Sequence, residues 1–257
     1  MLRSTFLHCP DIGPETERRL WGQGVHTWDH ALDGELPLSL GAADAATFRR
    51  VIEESRRALE AREHRYFASK LGAREAWRAF EEFRDDAVYL DIETDGGQSG
   101  AAITTIGLFD RHGTRCLVRG QDLDEFPEII GRYGMIVTFY GSGFDLPMLQ
   151  KRFRGISFDQ IHLDLCPTLR RVGIRGGLKK IERHVGIARG DETDGLTGWD
   201  AVKLWRRYEA FGDERALKTL IAYNLDDVVN LEPLAEIAYA ELSAAARGEP
   251  RRVPATV

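Results

Sequence analysis

Ala87-Val88-Tyr89-Leu90-Asp91-Ile92-Glu93-Thr94 is the stretch whose reading decides the fold. Its first four residues have the β-branched and aromatic character of a buried strand. Its second half places two carboxylates one residue apart. On a strand, side chains at i and i+2 point to the same face, so Asp91 and Glu93 project side by side. Burying unpaired negative charge is costly, and the pair therefore calls for a cation. A hard divalent metal with oxygen ligands fits that demand.

Working outward, Val88–Thr94, Ala102–Phe109 and Arg115–Val118 read as three strands, with Arg111-His112-Gly113 turning the last two. Connections this short imply antiparallel neighbours. A helix is expected near Leu123–Arg132, then a strand Met135–Phe139, a helix from Asp145 and a strand through Ile161–Leu163. From about Gly177 the pattern is mainly helical. Three antiparallel strands followed by strand–helix alternation define an α/β class, a mixed sheet flanked by helices, in the order of the ribonuclease H-like fold. Ahead of this 86–245 domain, residues 1–40 read as a short helical hairpin. Pro14 sits at a helix start and Gly24 at its end. The hairpin is similar to one helix-hairpin-helix unit, although Gly13 is its single turn glycine; a packing appendage is the other reading. Residues 41–85 carry a helical apolar stripe through Phe48, Val51, Ile52, Leu59, Phe67 and Leu71, and read as a brace. The tail spans 246–257.

Two further acidic positions accompany the opening pair. Asp145 follows the Tyr140-Gly141-Ser142-Gly143-Phe144 turn at a helix start, where it can cap the helix or face a ligand at the end of a strand. Asp227 lies on a helix marked by Leu217, Leu220, Ile221, Val228 and Leu231. Tyr223 is one turn before it on the same face, so its hydroxyl could orient a water near a metal.

These residues resemble the motifs of the DEDD exonucleases of the DnaQ-like superfamily, in the tyrosine-bearing subgroup. The first motif appears as Leu90-Asp91-Ile92-Glu93-Thr94, the second as Phe144-Asp145-Leu146-Pro147, and the third as Tyr223-Asn224-Leu225-Asp226-Asp227. The histidine subgroup would need His where Ala222 stands. Within the superfamily the chain looks most like the YprB ribonuclease H-like family, on these motifs with His162-Leu163-Asp164-Leu165, Asp194-Gly195 and Ala201-Val202-Lys203-Leu204-Trp205. One departure is Tyr140, where such proteins often carry Asn. The resemblance implies a 3′→5′ exonuclease that cleaves phosphodiester bonds at single-stranded 3′ ends with two Mg²⁺ or Mn²⁺ ions, DNA favoured over RNA, in repair or processing. It implies that Asp91, Glu93, Asp145 and Asp227 hold the metals, with Asp91 bridging, and that Tyr223 hydrogen-bonds the attacking water. It also implies a possible helicase partner. The competing expectation is a catalytically inactive nucleic-acid-binding module or a helicase-associated subunit of the same fold.

The net charge of −6 argues against indiscriminate nucleic-acid binding. Basic residues nevertheless concentrate between Lys151 and Arg189, as a phosphate-tracking surface or a solvated face. Among them Arg170, Arg171, Arg175, Lys179 and Lys180 are candidate backbone contacts, and Phe144 is a candidate base-stacking residue. Cys9, Cys116 and Cys166 match no zinc or disulfide pattern. With no signal-peptide core, no membrane-length apolar run and no Lys-Ser or Lys-Thr phosphate loop, the expectation is a cytoplasmic protein that is not itself a motor.

Overall fold

β1 (Ala87–Thr94) is the central strand of a five-stranded mixed sheet ordered β3-β2-β1-β4-β5. The computed structural model describes residues 1–34, 36 and 42–254; the expected hairpin, brace and tail each run partly into positions outside these. β1 pairs antiparallel with β2 (Ile103–Asp110), and β2 antiparallel with β3 (Gly113–Val118). On its other edge β1 runs parallel to β4 (Met135–Thr138), and β4 parallel to β5 (Ile161–Asp164). The α/β class and mixed sheet follow the strand–helix alternation of the sequence.

Strand alternation sorts the core into two faces. Val88, Leu90 and Ile92 enter one apolar cluster with Ile136, Met148 and Leu149, whereas Ala87 and Tyr89 enter another with Met135 and Val137. Asp91 and Glu93 continue the register of Tyr89 and so belong to the second face. The helices are α1 (Pro14–Gly22), α2 (Trp28–Asp33), α3 (Ala42–Glu60), α4 (His64–Glu75), α5 (Phe80–Phe83), α6 (Phe126–Ile130), α7 (Asp145–Arg152), α8 (Leu165–Arg171), α9 (Leu178–Val185), α10 (Gly198–Phe211), α11 (Glu214–Val229) and α12 (Leu231–Ala246). α6 and α7 cover the first face. The second receives Leu169, Ile181, Val228 and Leu234 from the later helices, together with Phe6, Trp28, Phe67 and Trp77 from the region before β1.

A chain of ion pairs ties the N-terminal helices to the sheet domain. Buried Glu17 accepts from Thr5 Oγ1 (2.6 Å), Phe6 N (2.8 Å) and Arg78 Nη2 (3.1 Å). Arg78 Nε reaches Glu75 at 2.7 Å, and Glu75 in turn pairs with Arg171 of α8 at 3.3 Å.

Several boundaries differ from the sequence reading, and β3 takes in Gly113 from the expected turn. The helix expected over Leu123–Arg132 is a 3₁₀ turn, Leu123–Glu125, followed by α6, which ends at Ile130. β2 starts at Ile103 because Gly100–Ala102 forms a 3₁₀ turn whose Ala102 carbonyl accepts the Asp95 amide at 3.0 Å. β4 stops at Thr138, where the chain turns into Tyr140 at φ 67°. No helix among the described residues is long and apolar enough to cross a membrane.

Candidate active site

The sheet opens where β1 outruns β4. The parallel ladder ends at Tyr89↔Val137, while the antiparallel ladder to β2 continues as far as Thr94. The free end of β1 carries Asp91 and Glu93 into a crevice at the C-terminal ends of β1 and β4, the position where open α/β sheets bind ligands. The unpaired edge leaves backbone donors to satisfy, and Asp145 Oδ1 accepts from the Ile92 amide at 3.0 Å. Asp145 is thus fixed by β1 itself rather than acting as an N-cap.

Asp91, Glu93 and Asp227 each offer a carboxylate oxygen within 4.8 Å of the others. Asp91 and Glu93 are half-buried and Asp227 is buried. Asp145, also buried, lies outside this group of three but is the strongest of the charges acting on Asp91, second only to burial itself. α11 brings Asp227 and Tyr223 to the crevice through its i, i+4 spacing. The pocket is lined by Asp91, Glu93, Asp227 and Tyr223, with Phe139, the first turn of α9 and the start of α10.

Like charges in a partly desolvated site resist ionisation. Burial, then Asp145, Asp227 and Glu93, push Asp91 well above the usual aspartate range. Burial and then Asp227 raise Glu93 to about 8. Burial raises Asp145 to about 7, and Asp227 to about 6 against the opposing pull of Arg189. Burial and the same carboxylates raise Tyr223, which is therefore a protonated phenol at neutral pH.

This distribution predicts a pH response. In the unfolded chain these groups ionise near 4, so between about pH 5 and 8 the folded protein holds protons that the unfolded chain has released. Metal-free stability should therefore fall as pH rises through that window. A divalent cation replaces the protons, so Mn²⁺ should raise the melting temperature more at pH 8 than at pH 6. Thermal scans with EDTA or Mn²⁺ across that range test this, and a response to Mn²⁺ that is absent or independent of pH counts against a metal centre.

The surrounding residues hold the carboxylates in place. Asn224, fully buried, donates from Nδ2 to Asp91 Oδ2 at 2.8 Å and to the Asp91 carbonyl at 3.4 Å. It fits because Gly107, the β2 partner of Asp91, has no side chain; a Cβ there would lie 2.9 Å from Asn224 Cγ. Gly107→Ala is accordingly expected to displace Asn224 and cost about 1–3 kcal/mol, the usual cost of overpacking, readable as a lower urea midpoint with an unchanged slope. Arg189 pairs with Asp227 and clasps Glu182 through Nε and Nη2, both at 2.7 Å, while Asn230 Nδ2 donates to Glu182 at 3.0 Å. Lys179 Nζ donates to the Tyr223 hydroxyl at 2.7 Å and to the Leu196 carbonyl.

The turn before Asp145 is held by Asp164, which accepts from the amides of Tyr140 (2.8 Å) and Ser142 (3.1 Å), and also caps α8 through Cys166 N at 3.1 Å. These bonds fix Tyr140 in a left-handed conformation that costs a non-glycine residue about 1–2 kcal/mol. Gly141 is required here because a Cβ would collide with the Thr138 side chain.

Of the basic candidates, Lys179 and Lys180 line the carboxylate pocket. Arg171 instead pairs with Glu75 and the Arg74 carbonyl, in the contact to the N-terminal helices. Arg170 and Arg175 are exposed and do not line the pocket. Phe144 is half-buried against the α6–α7 core rather than presented to the pocket. Asn224 and Arg189 were not singled out by the sequence. Asn224 sits three residues before Asp227 on the same helix face, a signal that was available; Arg189 lies in a loop 38 residues from its partner, and no periodicity points to it.

A mixed sheet with an acidic cluster at the parting of its central strands defines a ribonuclease H-like nuclease fold. Residues 88–239 match the RNase_H superfamily, and the chain belongs to that superfamily. Comparison with curated proteins gives no match. Among solved structures, the chain is similar to the family B DNA polymerase from the hyperthermophilic archaeon Pyrobaculum calidifontis, at 17% identity and a TM-score of 0.49 over 62% of this chain. It spans 26% of that polymerase's length.

Proposed function

We propose that this protein is a metal-dependent 3′→5′ exonuclease that shortens single-stranded nucleic-acid ends, DNA in preference to RNA. The observation that carries the reading is the convergence of Asp91, Glu93 and Asp227 within 4.8 Å beside Tyr223, on an RNase_H superfamily fold. Polarity and the preference for DNA come from the likeness of the three motifs to the tyrosine-bearing DEDD exonucleases. The closer likeness to the YprB family belongs to the same proposal.

Three half-buried or buried carboxylates whose oxygens lie within 4.8 Å of one another suit one or more hard divalent cations. Asp91, Glu93 and Asp227 would hold them, with Asp145 behind. Bound there, Mg²⁺ or Mn²⁺ would neutralise charge on the phosphodiester and acidify water. The chain's own residues supply the orientation. Asn224 fixes the Asp91 carboxylate, and Arg189 fixes that of Asp227. Tyr223, accepting a hydrogen bond from Lys179, directs its own O–H to a water in the pocket, and as a protonated phenol it orients that water rather than deprotonating it. Lys179 and Lys180 add positive charge to the lining of the same pocket, where a phosphate oxygen can be met.

The test is hydrolysis of a 5′-labelled single-stranded oligonucleotide with Mg²⁺ or Mn²⁺. A ladder of products shortened from the 3′ end is expected, absent in EDTA, with matched RNA cut more slowly. An intact oligonucleotide under all metal conditions overturns the reading.

One observation favours a second reading, a nucleic-acid-binding module without hydrolysis: Arg189 already supplies Asp227 with a fixed counter-charge. Retention of the oligonucleotide without cleavage, and without a thermal response to Mn²⁺, would select it.

A further inference from the structure

Trp199 is more than half exposed (57%), although tryptophan is usually covered. It is not a stray surface residue. It directly follows Thr197 and Gly198, which line the carboxylate pocket. The capping box between Thr197 and Asp200 fixes where α10 begins and hence where the indole stands. The Arg206 guanidinium lies 5.4 Å from the centre of the indole ring, and Arg206 Nη2 donates to the Asp95 carbonyl at 3.3 Å, just past the end of β1. One side of the indole is therefore tied to the strand that bears Asp91 and Glu93. The other exposed aromatic on the described surface near this site is Tyr140 (55%), which follows the pocket residue Phe139. Among the described residues, two of the four exposed large hydrophobics thus directly follow a residue that lines this pocket.

A rigid aromatic ring at the rim of a phosphodiester site, backed by a guanidinium, has the composition of a base-stacking surface. Every nucleobase presents a π-face, and arginine reinforces such stacks while meeting the backbone. We propose that Trp199, positioned by Arg206, is a stacking platform for a nucleobase of a single strand, next to the phosphodiester held in the carboxylate pocket. The assignment rests on the nucleic-acid substrate proposed above. It adds a sequence-tolerant contact to the base, a part of the substrate that the carboxylates and lysines do not address.

The experiment compares two fluorescein-labelled probes of equal length, a single-stranded oligothymidylate and the same backbone without bases, binding to the full chain in EDTA. Trp199→Ala is expected to weaken oligothymidylate binding about ten-fold, within the range for loss of one stacked base. Trp199→Phe should keep most of the affinity, and binding of the base-free probe should not respond to either substitution. Melting curves of both variants check that the exposed position leaves the fold intact. Equal weakening for the two probes would make the contact one to the backbone and overturn the proposal, as would unchanged binding in Trp199→Ala or no binding by the wild-type chain. Hydrolysis separates the two readings. Base-dependent binding through Trp199 without any cleavage removes the exonuclease and leaves the platform, whereas cleavage with binding indifferent to Trp199 removes only the platform.

Discussion

Asp91→Asn is expected to remove oligonucleotide hydrolysis while making the metal-free protein more stable. Both effects have the same source. Asp91 is pressed by burial and by three other carboxylates, so a neutral amide relieves a repulsion that the fold otherwise endures. The amide keeps the shape of the carboxylate and an acceptor for Asn224, which limits any collapse of the site. The same change withdraws the most crowded charge from the proposed metal centre. Loss of residues that merely orient metal ligands commonly costs 10–100-fold, and loss of a ligand itself should exceed about 100-fold. Paired measurements on one variant, initial cleavage rate in Mn²⁺ and melting temperature in EDTA at pH 8, should move in opposite directions. A variant that still cleaves would sink the exonuclease assignment, and one that melts earlier without metal would refute the electrostatic account of Asp91.

The second large effect is expected at Arg189. Its side chain is almost fully enclosed, and it is shared by Glu182 and Asp227, which are enclosed as well. Removing one partner of a buried ion pair leaves an uncompensated charge and typically costs about 3–5 kcal/mol. In a chain of this size that corresponds to a fall in melting temperature of about 2–4 °C per kcal/mol. Arg189→Met retains much of the apolar stem and so isolates the charge. Because Asp227 is proposed to take a metal, which would stand in for the guanidinium, saturating Mn²⁺ should recover part of the loss, and the thermal response to Mn²⁺ should be larger in the variant than in the wild type. Glu182 has no such substitute, so recovery stays incomplete. A variant as stable as the wild type in EDTA would show that the cluster tolerates its own charge without Arg189.

What could be read in the sequence followed from local periodicity. Period two put Asp91 and Glu93 on one face of a strand, and the i, i+4 relation put Tyr223 and Asp227 on one face of a helix; the structure places all four around one pocket. The sheet's mixed character was equally legible, because short turns enforce antiparallel neighbours and longer crossovers permit parallel ones. Contacts that depend on tertiary closure were not. Asp145 reads locally as a helix cap, yet it is bound to Ile92 because β1 and β4 part company, which no local pattern encodes. Arg171 belonged to a basic stretch that suggested phosphate contacts, but Glu75 of a distant helix pairs with it. In the sequence Tyr140 is only a departure from a familiar motif; its left-handed backbone is held by hydrogen bonds to Asp164, two elements away.

The ion-pair chain from Glu17 through Arg78 and Glu75 to Arg171 bears on how this protein can be dissected. A fragment beginning at β1 would lose the partners of Arg171 and uncover the apolar face that Phe6, Trp28, Phe67 and Trp77 now seal. Inactivity or aggregation of such a fragment would report on an opened core, and would say nothing about whether the N-terminal helices touch nucleic acid. Questions about those helices are better put through single replacements of solvent-facing side chains, Arg18 and Arg19 on α1 being the simplest, in the otherwise whole chain.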